Sequence, residues 1–112
     1  MIKEMLAKKF RLSQDGDFKN VYRGGRRMAG RGWSIATKSN NLARPRFGVI
    51  ISKKTAKLAV ERNLAKRRTR AMIERLLKSN PTLTAAGWDI IINITTADFD
   101  LNQLEEALGD VS

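Results

Sequence analysis

The sequence predicts an α+β domain in which a layer of strands packs against a layer of helices. Two segments, residues 46–52 and 88–95, are short and almost continuously apolar, which is typical of strands buried on both faces. A longer segment between them repeats its apolar residues at helical spacing, and a shorter helical segment lies near each end of the chain. Strands separated by a long helix are typical of two-layer domains, and 112 residues suffice for one such domain.

The first helix is predicted within residues 10–25. Ser13 is in a position to cap its start. Phe18, Val21 and Tyr22 recur at i, i+3 and i+4, which gives this helix one apolar face. Two successive glycines then end the helix, because glycine favours the conformations that follow a last helical turn.

Residues 26–38 are strand-like around residues 33–37, and Gly30 and Gly32 allow a bend or a bulge there. The long helix is predicted to run from residue 56 or 58 to residue 78, and an Asn-Pro pair ends it. A last, acidic helix is predicted over residues 98–108, with Thr96 or Asp98 as its cap. The apolar stripe of the long helix comprises Leu58, Ala65, Met72, Ile73 and Leu76.

The charge of the chain is large and unevenly distributed. The net charge is +11, and all 22 Lys and Arg lie in residues 1–78, whereas residues 79–112 hold six acids and no base. A basic body of this kind indicates a polyanionic partner: RNA, DNA or an anionic membrane surface. The membrane is disfavoured, because the core needs the apolar stripe of the basic helix and because no apolar run approaches the roughly 20 residues that span a bilayer.

The chain has no cysteine and no histidine. It therefore has no disulfide, which suits a cytosolic protein, and it lacks the commonest general base and metal ligand. Asp15 and Asp17 are the only close pair of acids in the basic portion. We interpret them as favourable charges at a helix N-terminus rather than as metal ligands.

The strongest functional signal is a row of cations on the long helix. Arg62, Lys66 and Arg70 stack at i, i+4 and i+8, and Asn63 and Arg67 flank them away from the apolar stripe. Guanidinium groups bind phosphate oxygens bidentately, and an asparagine both donates and accepts hydrogen bonds. A merely solvated helix face is disfavoured, because few acids are placed to pair with these cations. The pattern predicts contact with nucleic acid and leaves RNA or DNA open.

An ordered set of motifs resembles the protein subunit of bacterial ribonuclease P. That family has a strand ending in Ser/Ala-Lys-Lys and then a helix that opens Arg-Asn-Arg-x-Lys-Arg-x-x-Arg. Here residues 50–54 read Ile-Ile-Ser-Lys-Lys, and residues 62–70 read Arg-Asn-Leu-Ala-Lys-Arg-Arg-Thr-Arg. Residues 45–48, Pro-Arg-Phe-Gly, match the entry to the central strand. The similarity spans about residues 10–108, so we expect one domain over residues 1–112.

The resemblance implies a two-layer sandwich in which a mixed sheet of about four strands packs with a long central helix and with N- and C-terminal helices, as in the second domain of ribosomal protein S5. It also implies an accessory subunit of an endoribonuclease. In that family the RNA subunit, with bound Mg²⁺, removes the 5′ leader of precursor tRNA. The protein would bind the ribonuclease P RNA and the leader in the cytoplasm, with no catalytic residue, metal ligand or small-molecule substrate of its own.

The resemblance also implies residue roles by position. For Phe18, packing in the core and lining a groove for the leader are equally open. The residues implied to line that groove, on the first helix and the open face of the sheet, are Phe18, Tyr22, Trp33 and Ala36. The residues implied to contact RNA are Arg46, Lys53, Lys54, Arg62, Asn63, Lys66, Arg67, Arg68 and Arg70.

Two positions of the basic helix depart from the family pattern. Leu64 replaces the third residue of the Arg-Asn-Arg signature, which is expected to be a principal contact with the RNA subunit. Arg68 stands where the family usually has an apolar residue, one helical turn later, and would partly compensate for the missing charge. Thr95 replaces a basic residue that is often found after the last strand.

A second function remains open at this point. A protein of another ribonucleoprotein, such as a ribosomal protein, would be equally small, basic and poor in cysteine. The order and spacing of the motifs favour the ribonuclease P family, because ribosomal proteins do not require that order. A free-standing nuclease is disfavoured by the absence of histidine and of a compact carboxylate cluster.

Overall fold

The computed structural model describes residues 10–12, 15–51, 55, 57–96 and 98–111. Within these ranges, no helix is both long enough and apolar enough to cross a membrane. The helices and strands of this part of the chain are α1 (Asp15–Gly24), β1 (Arg26–Gly30), β2 (Trp33–Ser39), β3 (Arg46–Ile51), α2 (Ala59–Ser79), α3 (Pro81–Thr84), β4 (Trp88–Ile94) and α4 (Leu101–Gly109).

The strands form one mixed sheet in the order β1-β2-β4-β3. Strand β2 pairs antiparallel with β1 and with β4, whereas β3 pairs parallel with β4. Parallel neighbours need a crossover connection, and α2 lies in the one between β3 and β4. The predicted two-layer α+β fold, with a four-stranded mixed sheet and a long central helix, is confirmed.

The main core lies between one face of the sheet and helices α2, α3 and α4. Ile90 and Ile92 of β4 are fully buried there, against Met72 and Ile73 of α2 and Leu104 of α4. Full burial of a side chain of this size stabilises the fold by about 1.5–3 kcal/mol. These contacts fix α2 against the sheet and thereby determine which side of the helix faces solvent.

Helix α1 covers part of the opposite face of the sheet. Leu12, Val21, Ala36 and Ile91 form a smaller buried cluster beneath it. The helix starts over β3, where Phe18 lies against Gly48, and it ends near β2, where Lys38 donates a 3.5 Å hydrogen bond to a main-chain carbonyl of α1. The rest of this sheet face is uncovered by helix in the described part of the chain.

Residues 26–38 are strand-like, but the chain reverses within them and forms a β1–β2 hairpin instead of the predicted bend or bulge. Gly30 pairs with Trp33, and the two residues between them make the turn. Gly32 has a φ of 76°, a conformation that side-chain-bearing residues rarely adopt. Glycine therefore permits a full reversal of the chain where a bend or bulge was predicted.

The ends of α2 also differ from the prediction. Leu58 precedes the helix and is 60% exposed, so it does not belong to the core stripe. Thr69 is buried instead, and its hydroxyl donates to the carbonyl of Ala65 at 2.9 Å. Asn80 ends α2 and also caps α3, a short helix that the sequence analysis does not predict.

The cap of α4 is Asp100, whose carboxylate accepts a 2.9 Å hydrogen bond from the N–H of Gln103. The prediction of Thr96 or Asp98 is therefore wrong, since the helix begins later, at Leu101. The predicted cap of α1, Ser13, lies outside the described residues.

Candidate nucleic-acid interface

Most of the residues predicted to contact RNA lie on the solvent side of α2. Packing of Met72 and Ile73 against the sheet orients this side outward. Asn63, Arg67 and Arg68 are exposed, and Arg62, Lys66 and Arg70 are half-buried. We define the α2 cationic face as Arg62, Asn63, Lys66, Arg67, Arg68 and Arg70.

Several cations of this face have no acidic partner in the described part of the chain. In the second half of the helix, by contrast, Arg75 lies 3.8 Å from Glu105 and Lys78 lies 3.5 Å from Glu74. An unpaired cluster of one sign is a favourable site for a polyanion, because no internal ion pair must be broken when it binds. Among the described residues, the cations of this face without an ion pair are Lys66, Arg67, Arg68 and Arg70.

The link from β3 to α2 is held next to this face. The Thr55 hydroxyl donates to the Ile94 carbonyl at 3.1 Å, which ties the link to the end of β4. The guanidinium of Arg62 donates to the Lys57 carbonyl at 2.9 Å and so holds the approach to the helix. The predicted contacts Lys53 and Lys54 precede Thr55 in the sequence and lie outside the described residues, so they stay predictions.

Leu64 and Arg68 line the same cleft between α2 and the ends of β3 and β4. The cleft has a volume of about 140 Å³. Leu64 is 52% exposed, whereas the cleft is closed below by the buried Ile51 and Ile94. The two positions that depart from the family pattern are therefore neighbours in space, as the helical spacing predicts.

Arg46 is committed to a network inside the protein. Its Nε and Nη2 donate to the two carboxylate oxygens of Asp89 at 2.8 and 2.7 Å, and its Nη1 lies 3.5 Å from Asp17. Asn40 completes the network by donating to Asp89 at 2.9 Å. The Asp89 hydrogen bond, the largest cause, raises the pKa of Arg46 above its usual value. Three of the five N–H donors of Arg46 therefore serve carboxylates inside the protein, which gives this residue a structural role and disfavours the predicted contact with RNA.

Phe18 packs against the core, which is one of the two roles that the sequence left open, and its role in a groove stays a prediction. It is half-buried and packs on the small cluster beneath α1, and a Cβ at Gly48 would come within 2.7 Å of its ring. Glycine at this point of β3 therefore lets the ring approach the sheet closely.

Tyr22 is the exposed aromatic residue of α1, with 37% of its surface accessible. The guanidinium carbon of Arg27 lies 5.3 Å from the centre of its ring, within the range of a cation–π contact. Arg27 also donates to the Tyr22 carbonyl at 3.3 Å. Burial raises the pKa of the Tyr22 phenol and Arg27 partly opposes the change. The phenol is thus neutral at pH 7, beside a fixed cation.

Trp33 and Ala36 are both buried, at 3% exposure, so their assignment to the groove is contradicted. Successive residues of a strand point to opposite faces. Trp33 accordingly lies in the main core, where its ring N–H donates to Gln103 at 3.2 Å. Ala36 lies on the other face but is covered by α1.

The uncovered strip of the sheet beside α1 is formed by a different set of residues. Ser34 pairs directly with Asn93, which pairs in turn with Ile50, and all three are half-buried. Sequence reasoning missed Ser34 and Asn93, although Asn93 is the one polar residue in Ile90–Ile94. That interruption of an apolar strand was the available signal. We define the α1 groove as Phe18, Tyr22, Ser34, Ile50 and Asn93.

The described residues hold no group of three or more His, Cys, Asp or Glu placed to bind a metal ion. Asp17, one of the two acids considered in the sequence analysis, faces Arg46 at 3.5 Å. Its carboxylate thus serves the internal network. The described surface thus exposes cations on α2 and leaves part of one sheet face uncovered by helix.

Comparison with known proteins agrees with the resemblance noted in the sequence. The family model described as Ribonuclease P matches residues 6–111. A ribonuclease P protein component from a Pseudanabaena species is 36% identical over 107 residues, which cover 95% of this chain and 87% of that protein. One from a Cyanothece species is 34% identical, with coverage of 93% and 90%.

Solved structures share the fold. The RNase P protein of Staphylococcus aureus superimposes with a TM-score of 0.67 at 28% identity, and the match covers 88% of each chain. That of Thermotoga maritima gives a TM-score of 0.69 at 19% identity, covering 91% of this chain and 97% of the other, which supports the fold alone. With a family match over nearly its whole length and relatives above 30% identity, the chain belongs to the family of bacterial ribonuclease P protein components.

Proposed function

We propose that the α2 cationic face binds the ribonuclease P RNA and that the α1 groove holds the 5′ leader of precursor tRNA. The observation that carries the proposal is that Lys66, Arg67, Arg68 and Arg70 of α2 have no ion pair in the described part of the chain. Family membership makes RNA the polyanion, which the charge pattern alone leaves undecided. Lys53 and Lys54 remain part of the proposed RNA surface, and Arg46 does not.

The groove has the chemistry that an unpaired, variable-sequence strand requires. Tyr22 presents a ring face on which any base can stack. Arg27, held at 5.3 Å from that ring, is placed to meet the adjacent phosphate. Ser34 and Asn93 offer hydroxyl and amide groups on the floor, and these groups bond sugar or base edges.

In this proposal the protein acts as an accessory subunit and the RNA subunit cleaves the phosphodiester with Mg²⁺. The protein brings two polyanions together by offsetting their repulsion, so less Mg²⁺ is needed for the same rate. It would do so in the cytoplasm, where the precursor tRNA is processed. No observation on the described residues favours the alternative of a ribosomal protein.

The proposal is tested by adding the purified protein to a bacterial ribonuclease P RNA at low Mg²⁺ and measuring leader removal from precursor tRNA. We expect stimulation of cleavage, and binding that weakens with salt by ~0.7–0.9 in log K for each phosphate neutralised, per tenfold change in salt. Absence of stimulation together with absence of specific binding to that RNA would overturn the proposal.

Replacing Tyr22 by alanine is expected to weaken the binding of precursor tRNA and to leave mature tRNA unaffected. Loss of one base–aromatic stack costs ~1–3 kcal/mol, which corresponds to about a fivefold to 100-fold loss of affinity. The measurement is the affinity of the reconstituted holoenzyme for tRNA with and without a leader. Tyr22→Phe keeps the ring and serves as the control. An equal loss for both tRNAs, or no loss for either, contradicts the role of the groove.

A further inference from the structure

The start of α2 carries large apolar side chains that the fold does not bury. Leu58 is 60% exposed, Val60 is 70% exposed and Leu64 is 52% exposed. Val60 and Leu64 are four residues apart, so they lie on one side of the helix. Neighbouring exposed apolar side chains commonly mark an interaction site. The fold gives no reason for them, since the core is formed by the opposite side of α2.

Leu64 also forms a wall of the cleft beside α2, whose volume is about 140 Å³. The hydroxyl of Thr55 in that cleft donates to the Ile94 carbonyl. Among the described lining residues, Glu61 and Arg68 carry charge and most of the others are apolar. Its lining residues are Ile51, Thr55, Glu61, Leu64, Ala65, Arg68 and Ile94.

The charges around the cleft limit what can occupy it. Arg67 and Arg68 are exposed beside Leu64 and have no ion pair in the described part of the chain. A second copy of this chain would bring like charges together at a net charge of +11 each. An unstacked nucleotide combines a flat apolar base face with an adjacent phosphate, which matches an apolar wall beside an arginine.

We propose that an unpaired nucleotide of the ribonuclease P RNA inserts here, with its base against Leu64 and its phosphate on Arg68. The inference rests on the proposed function, and it adds that the cleft binds a single unpaired nucleotide of that RNA. An ionised carboxylate accepts hydrogen bonds only, so Glu61 selects a base edge that presents N–H donors. Guanine presents a ring N–H and an amino group side by side, whereas uracil presents one N–H between two carbonyl oxygens. The site therefore favours guanine over uracil.

The first test compares Leu64→Ala and Arg68→Ala in binding to the ribonuclease P RNA over a series of salt concentrations. Leu64→Ala is expected to lower the affinity about fivefold to tenfold without changing the salt dependence, because it removes no charge. Arg68→Ala is expected to lower the affinity and to reduce the salt slope by ~0.7–0.9. Leu42→Ala removes a comparably exposed leucine from the loop before β3 and should change neither quantity.

The second test locates the base by NMR of methyl-labelled protein, with UUGUU and UUUUU pentaribonucleotides as probes. The Leu64 and Ile94 methyl signals are expected to shift with UUGUU and to shift less with UUUUU. Inorganic phosphate alone should leave both signals in place. In Glu61→Gln the difference between the two oligonucleotides should shrink. Methyl signals that stay unmoved by either oligonucleotide, or that move equally with phosphate, overturn the inference.

The two proposals fail in different ways. If the unaltered protein does not bind the ribonuclease P RNA specifically, the proposed function fails. If it binds and Leu64→Ala binds equally well, only the insertion of a base fails. Leu64 is half exposed, so thermal unfolding of Leu64→Ala should match that of the unaltered protein and exclude a folding defect.

Discussion

Replacing Asp89 by alanine is expected to lower the free energy of unfolding by about 3 kcal/mol, at the lower end of the range for breaking a buried ion pair. The Asp89 side chain is 10% exposed and that of Arg46 is 23% exposed, so the guanidinium would be left largely buried with its main partner gone. Asn40 would lose an acceptor as well. Equilibrium unfolding in urea measures the change. A domain of this size is stable by only about 5–15 kcal/mol, so the effect is large.

The exposed pair Glu74 and Lys78 is the matched control for this prediction. These side chains are 39% and 77% exposed, and Glu74→Ala should cost less than about 1 kcal/mol. Equal costs at the two sites would contradict the role assigned to the Arg46 network. Because the pKa of Arg46 is raised in the folded state, its charged form is favoured at every pH below the usual arginine value. The effect should therefore be the same in neutral and in mildly alkaline buffer.

Removing three cations from the α2 cationic face is expected to weaken binding to the ribonuclease P RNA by about 100-fold to 1,000-fold at physiological salt. The variant combines Lys66→Ala, Arg67→Ala and Arg70→Ala, and each substitution removes a charge-assisted contact of roughly 1–1.5 kcal/mol. The salt slope should fall by ~2–3, because up to three phosphates are no longer neutralised. Filter binding or fluorescence titration at several salt concentrations measures both quantities.

A control variant removes the same number of positive charges elsewhere. Arg31, Arg75 and Lys78 each face a carboxylate, namely that of Asp98, Glu105 and Glu74. Their replacement by alanine changes the net charge by the same amount. It should weaken RNA binding only a few-fold, because it lowers the overall positive potential of the protein without removing a direct contact. If both triple variants lose the same affinity, binding depends on total charge and the α2 cationic face has no special part in it.

The parts of the fold that the sequence predicts are those with a strong local pattern. The strand at Ile90–Ile94 is almost purely apolar, and its burial on both faces follows from that composition. The α2 cationic face is predictable for a similar reason. Residues spaced by four lie on one side of a helix, and the stripe through Met72 and Ile73 fixes which side is free.

Features that depend on residues far apart in the chain cannot be predicted from local sequence patterns. Arg46 is read as one more cation, because nothing local indicates that Asp89, 43 residues later, occupies both arms of its guanidinium. Trp33 is assigned to the wrong face of the sheet, because a motif locates a strand but does not say which of its residues face the core. Since successive residues point to opposite faces, a shift of one residue turns a surface position into a core position. The hairpin after α1 depends on a positive φ at Gly32, which the sequence permits but does not require.

Because β4 lies inside the sheet, the sheet cannot be completed until β4 has been synthesised. This strand lies between β2 and β3, although it follows both of them and α2 in sequence. Before residue 88 has been synthesised, the described strands leave β2 paired with β1 alone and β3 with an isolated bridge to Arg11, and α2 has no completed surface to pack on. A chain broken off at that stage carries every lysine and arginine and lacks the strand that orients them. Such a fragment would hold RNA by charge alone, without a defined face, so the last third of the chain turns a polycation into a selective partner.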